Sequence, residues 1–130
     1  MAQVGQINLV VAWIWIVLGF GSGFALGLNF HREDWLGGYG SFKRRLYRLA
    51  HISFFGLGVL NLMFYLTARQ CLAATTVTNV ASYGFALGAL AMPICCLIMA
   101  HRSNWRALFV IPVGSLIGAG LLTLWEITRL

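Results

Sequence analysis

The stretch INLVVAWIWIVLGFGSGFALGLNF, residues Ile7 to Phe30, contains no Asp, Glu, Lys or Arg. As an α-helix rising about 1.5 Å per residue, it is long enough to cross a hydrocarbon core about 30 Å thick. Three further runs share this property: Leu49–Ala68, Val80–Ala100 and Ala107–Trp125. Backbone N–H and C=O groups in lipid must pair within the chain, so each run is expected to be a helix. The alternating ten-residue segments of a membrane β-barrel are absent. The reading is an all-α integral membrane protein, a four-helix transmembrane bundle with helices at about residues 7–30, 47–68, 80–100 and 107–126. These helices form one domain over residues 1–130.

Composition agrees. Apolar residues make up 60% of the 130-residue chain and charged residues 9%, with a mean hydropathy of +0.83. A soluble domain carries roughly 25% charged residues. Three acidic side chains cannot clothe a water-facing surface of this size. The first run is longer than the apolar region of a cleaved signal and has no Lys or Arg before it, so it is read as a retained span.

The basic residues set an expected orientation. Arg32, Lys43, Arg44, Arg45, Arg48, Arg102 and Arg106 fall in or beside the first and third connections, whereas Arg69 and Arg129 fall on the other side. By the positive-inside bias, loops one and three are cytoplasmic and both termini lie outside, as expected of a bacterial inner membrane protein. The net charge of +6 is therefore assigned to anionic lipid headgroups rather than to nucleic acid. Lys43, Arg44, Arg45 and Arg48 are the candidate headgroup or anion contacts. A pairing of Glu33 or Asp34 with Arg44 or Arg48 would fold loop one over the helix ends.

Glycines at spacing four recur on the helices: Gly19, Gly23 and Gly27, then Gly84 and Gly88, then Gly114 and Gly118. Such stripes let helix backbones approach in lipid. Asn61 is expected to act as a hydrogen-bonding contact across helices. Pro93 and Pro112 are expected to kink the third and fourth helices. Glu126 and Arg129, one turn apart, are expected to form a local ion pair.

All three histidines fall on the basic side. His31 and His101 share the pattern H-R-x-x-W, which suits an interfacial anchor and raises an internal duplication. His51 lies deeper, on a stripe with Arg44, Arg48 and Phe55 at helical spacing. Cys71, Cys95 and Cys96 have no metal-ligand spacing. No metal site and no catalytic set is read from the sequence.

Three functions follow. The first is a non-catalytic structural or accessory subunit of a larger membrane complex, with other membrane subunits or a second copy as partner. The second is a small b-type cytochrome or quinone-linked electron-transfer subunit, with His51, His31 and His101 as candidate ligands of haem b. The third is an oligomeric transporter or channel. The absence of a charged residue in mid-membrane argues against this last one.

Overall fold

The structure, a computed structural model, describes residues 4–130. Four α-helices follow one another: α1 Gln6–Gly27, α2 Phe42–Cys71, α3 Thr76–His101 and α4 Val110–Ile127. All four segments are long and apolar enough to cross a membrane, the fourth when joined to the 3-10 segment Ser103–Phe109 that leads into it. No strand occurs among the described residues. The expected all-α membrane architecture is the one observed.

The helix ends differ from the apolar runs because local capping, not hydropathy, decides them. Helix α1 stops at Gly27. There the Asn29 amide donates to the Ala25 carbonyl at 2.9 Å, and the next N–H groups of Asn29 and Phe30 reach back three residues, to Leu26 and Gly27. Helix α2 starts at Phe42, five residues before the expected 47, because Ser41 caps it: its hydroxyl oxygen accepts the Arg44 N–H at 3.1 Å. A capping hydroxyl of this kind satisfies one of the four orphan donors of a helix start. At 30 residues, α2 is about 45 Å long, so part of it extends beyond a hydrocarbon core. Thr75 caps α3 in the same way, accepting from the Thr78 N–H at 3.1 Å.

Pro112 corrects one expectation. It is the third residue of α4, and in a first turn its missing N–H has no partner to lose. It therefore starts a helix rather than kinking one. Pro93 lies within α3, which continues through it to His101.

Consecutive helices pack side by side, α1 on α2, α2 on α3 and α3 on α4, and α1 also reaches α3. Helix α3 thus touches the other three. Helix α4 is an appendage, with only Pro112 and Ala119 buried. Two apolar clusters fill the interior. Val11, Trp15, Leu57, Ala86 and Ala89 form one, and Phe64, Ala68, Ala81, Phe85 and Ala119 the other. Trp15 is anchored by its indole N–H, which donates to the Ala89 carbonyl at 3.0 Å.

The glycine stripes divide by what they meet. A Cβ on Gly58 would stand 3.2 Å from the Ala12 carbonyl oxygen, so this glycine lets α2 lie against the α1 backbone. Gly84 and Gly88 admit α4: a Cβ on Gly84 would come to 2.9 Å from the Ala119 Cβ, and one on Gly88 would run into the Leu116 side chain. Ser115 then donates to the Gly84 carbonyl at 2.6 Å. Gly27, Gly114 and Gly118 correct the expected packing, since nothing lies within 4 Å of a Cβ built on any of them. Those three positions face outward and join no helix interface within the chain.

A polar layer crosses the three inner helices. Asn8 of α1, Asn61 of α2 and Ser82 of α3 are buried, the two asparagines completely. The Asn8 amide donates to the Asn61 side-chain oxygen at 2.8 Å and to the Ser82 carbonyl at 3.0 Å, and the Ser82 hydroxyl donates back to Asn8. The Asn61 amide donates to the carbonyls of Leu57 at 2.8 Å and Phe85 at 3.3 Å. The layer fixes the register of α1, α2 and α3, because a shift of any one leaves buried amides unpaired. Replacing Asn61→Ala strands one N–H of the Asn8 amide, whose other N–H keeps the Ser82 carbonyl, and opens a small void. We expect a loss of about 1–3 kcal/mol, read as an earlier midpoint when the protein in mild detergent is titrated with sodium dodecyl sulfate. An unchanged midpoint would mean the layer carries no stability.

Candidate ligand-binding site

The end of the molecule formed by the α1 C-terminus, the α2 N-terminus and the α3 C-terminus carries nine of the chain's twelve charged side chains and all three histidines. His51 sits in the third turn of α2, half-buried against α1. Gly23 makes room for it: a Cβ there would stand 2.8 Å from the His51 Cε1. Gly19 does the same for Phe55, whose ring meets His51 edge to face at 5.6 Å between centroids. The glycine pair on α1 therefore receives two rings of α2 rather than a bare backbone.

The His51 Nδ1 lies 2.9 Å from the Ser22 Oγ. The same hydroxyl lies 3.1 Å from the Gly19 carbonyl. It has one proton and two acceptors to choose from. With the proton on the Gly19 side, His51 carries hydrogen on Nδ1 and its Nε2 is an acceptor. With the proton toward His51, Nε2 carries the hydrogen and is a donor. The hydroxyl orientation and the imidazole tautomer are therefore coupled: Nε2 becomes a donor only when the ring proton leaves Nδ1 and one is taken up at Nε2, the hydroxyl then turning to donate to Nδ1. Among the described residues, Nε2 has no partner of its own.

Beside His51 lies a cleft of about 290 Å³. Its walls are Ala25 and Leu26 of α1, Ala50 and Phe54 of α2, and Leu97 of α3. Its polar rim consists of Ser22, Asn29, Tyr47 and His51, with Trp35 of loop one at the edge. A largely apolar hollow with few convergent polar groups is the usual form of a small-molecule site, and this one falls at the small end of that range.

Loop one is folded onto this end by Arg44. The side chain is fully buried. Its guanidinium carbon stands 3.9 Å from the Tyr39 ring centroid, 5.4 Å from Trp35 and 5.7 Å from Phe30. Nη1 donates to the Arg32 carbonyl at 3.0 Å and Nη2 to the Phe30 carbonyl at 3.3 Å. Nε is buried without a partner. The expected pairing with Glu33 or Asp34 is thus replaced by carbonyls and aromatic faces, which hold a cation without a counter-charge. Enclosed in this way, Arg44 is a clasp inside the protein and not a headgroup contact. Arg48 joins the same loop, donating to the Tyr39 carbonyl at 3.3 Å. Tyr39 in turn donates through its hydroxyl to the Phe30 carbonyl, and Ser41 donates to the Leu36 carbonyl at 2.6 Å. Arg45 is exposed and Lys43 half-buried.

The other histidines are placed apart from His51. The His101 Nε2 lies 2.9 Å from the Tyr47 hydroxyl, and the rest of its ring is exposed. It lines a different, open groove of about 450 Å³. His31 is exposed. A haem with two axial imidazoles needs both to face one gap. His51 and His101 line different hollows that share Leu97 as a wall, and each ring has a partner of its own, Ser22 for His51 and Tyr47 for His101. No group of three or more His, Cys, Asp or Glu able to hold a metal occurs among the described residues.

At the opposite end, the expected Glu126–Arg129 pair is not formed. Arg129 stacks over Trp125 at 4.2 Å, and Glu126 accepts instead from the Thr75 hydroxyl at 3.4 Å, beside the start of α3. A carboxylate there is favoured by the positive end of the helix dipole.

Sequence reasoning missed Ser22, Tyr47 and Asn8, and read Trp35 only as an interfacial anchor in the H-R-x-x-W pattern. Tyr47 was signalled by its place four residues before His51, and Asn8 by being a strong hydrogen-bonding side chain within an apolar run. Nothing in the spacing ties Ser22 to His51. Comparison with known protein families, with curated proteins and with solved structures finds no match to the chain.

Arg44→Met removes two charge-assisted hydrogen bonds and the cation held by three rings. We expect loop one to loosen, with hydrogen exchange across residues 31–41 faster by at least tenfold, equivalent to about 1.4 kcal/mol or more. Arg44→Lys restores the charge but not the fork that reaches two carbonyls, and is expected to recover only part of the protection.

Proposed function

We propose that this chain is a non-catalytic membrane subunit whose His51 cleft holds the polar head of a small amphipathic molecule of the quinone–quinol class. The observation that carries this reading is the Ser22–His51 pair on the rim of an apolar cleft. A quinone presents a carbonyl, which needs a donor. A quinol presents a hydroxyl, which also donates and so needs an acceptor. The His51 Nε2 can serve either, because Ser22 can pair with both neutral tautomers of the ring: it accepts from Nδ1–H while donating to the Gly19 carbonyl at 3.1 Å, or it donates to a bare Nδ1 at 2.9 Å. The aromatic and aliphatic walls suit a ring and the start of a prenyl tail, and the cleft is of a size for a single ring rather than a macrocycle.

The accessory role is favoured by what surrounds the cleft. Loops one and three are short or closely folded, and there is no nucleophile–base pair among the rim residues beyond Ser22 and His51, which have no carboxylate beside them. A subunit of this kind binds and positions a membrane-soluble carrier for a partner. We further propose that the basic end faces the cytoplasm of a bacterial inner membrane, with both termini outside. This rests on seven Lys and Arg at that end against two at the other.

Protein purified in mild detergent and extracted with organic solvent should yield bound quinone, identified by its absorption and its change on borohydride reduction. One hydrogen bond is worth about 1 kcal/mol, so His51→Leu should weaken added short-tail quinone about fivefold. His51→Gln, which keeps a donor and an acceptor, should weaken it less. Ala25→Phe, which fills the cleft, should abolish binding. Equal binding in all three variants would overturn the reading. Orientation is checked separately: alkaline phosphatase fused after Leu130 should be active, and fused after Asn104 inactive.

A further inference from the structure

We propose that the groove at the end of α3 is a binding site for one anionic glycerophospholipid, with its phosphate on Arg102 and one acyl chain along α3. The groove adjoins the His51 cleft, with Leu97 as a shared wall, and the proposal does not depend on the quinone reading.

The groove of about 450 Å³ is lined by Leu97, Ile98, His101, Arg102 and Trp105. Three features give it the chemistry of a phospholipid rather than of a general apolar surface. The first is a stripe. Leu90, Ile94 and Leu97 are exposed and follow one another at spacings of four and three, so they share one face of α3, and His101 continues that face four residues on. An acyl chain laid on this stripe ends at the polar head of the groove.

The second is charge. Arg102 is exposed and makes no side-chain hydrogen bond among the described residues. The end on which it sits carries seven basic residues against Glu33 and Asp34. Arg44 is sealed inside loop one, which leaves six. A guanidinium matches the geometry of a phosphate with two parallel N–H donors. The third is orientation. The Tyr47 hydroxyl holds His101 through Nε2 at 2.9 Å, so the ring is fixed and its Nδ1 remains for a second polar contact on the headgroup. Trp105 stands beside it, half exposed. An indole at this level suits the boundary between chain and headgroup.

The test uses the full chain purified in mild detergent and examined by native mass spectrometry with phosphatidylglycerol or phosphatidylcholine of the same chains, and with glycerol phosphate alone. We expect phosphatidylglycerol to remain bound one per protein at concentrations where phosphatidylcholine does not. Arg102→Gln should weaken phosphatidylglycerol about tenfold. Ile98→Trp, which fills the groove and leaves Arg102 in place, should weaken it as well, so the proposal stays testable if either variant fails to fold. Arg129→Gln, at the other end, should leave it unchanged.

Equal retention of the two lipids would overturn the proposal, as would full retention in both groove variants or competition by glycerol phosphate as effective as by the lipid. A dimer that forms at the expense of bound lipid and is lost in Ile98→Trp would reassign the groove to a second copy. Quinone binding unchanged in Arg102→Gln separates this site from the His51 cleft.

Discussion

Inside a bilayer no water is present to satisfy a polar group, so every buried donor and acceptor must find its partner within the protein. The Asn8–Asn61–Ser82 layer is where that constraint acts most strongly on this chain. Two carboxamides and a hydroxyl meet with mutual and backbone partners across three helices. Apolar packing between helices in lipid gives little preference for one register over another, because lipid tails are as apolar as leucine. The layer supplies that preference. With α1, α2 and α3 locked in register, Gly58 meets the α1 backbone and Trp15 reaches the Ala89 carbonyl.

From this fixed register the far end of the molecule follows. Ser22 lies fourteen residues beyond Asn8 on α1, and His51 ten residues before Asn61 on α2. Antiparallel packing brings the two side chains to 2.9 Å. The same alignment sets Tyr47 against His101. Loop one is then drawn over the helix ends by Arg44, whose charge is balanced by carbonyl dipoles and ring faces instead of by a carboxylate. A cation solvated this way needs no acid nearby and leaves Glu33 and Asp34 at the surface. Trp35 takes part in both features, as one ring of the Arg44 cage and as an edge of the His51 cleft.

Helix α4 stands apart from this arrangement. It is held by the Gly84 and Gly88 notches, by the Ser115 hydrogen bond and by Ala119, and it does not take part in the polar layer. Its outer face carries Gly114, Gly118 and large exposed apolar side chains such as Val110, Ile117 and Leu121. A face of this kind meets lipid tails without cost. The three-helix core and its appended fourth helix are thus stabilised by different means.

By itself, the sequence determined that four helices thread a membrane. Uninterrupted apolar runs of this length have no other way to satisfy their backbones in lipid. It also singled out His51 and Asn61, because a polar side chain within such a run needs a reason. It did not determine where the helices end, since Ser41 and Thr75 act through hydrogen bonds to backbone that hydropathy does not register. Nor did it tell which glycines pack: Gly84 and Gly114 look alike in spacing, yet one faces Ala119 and the other faces outward. Only the tertiary structure paired Ser22 with His51, Asn8 with Asn61, and Arg44 with three aromatic rings. Those contacts join residues far apart in the chain, and their partners are chosen by the relative register and rotation of whole helices.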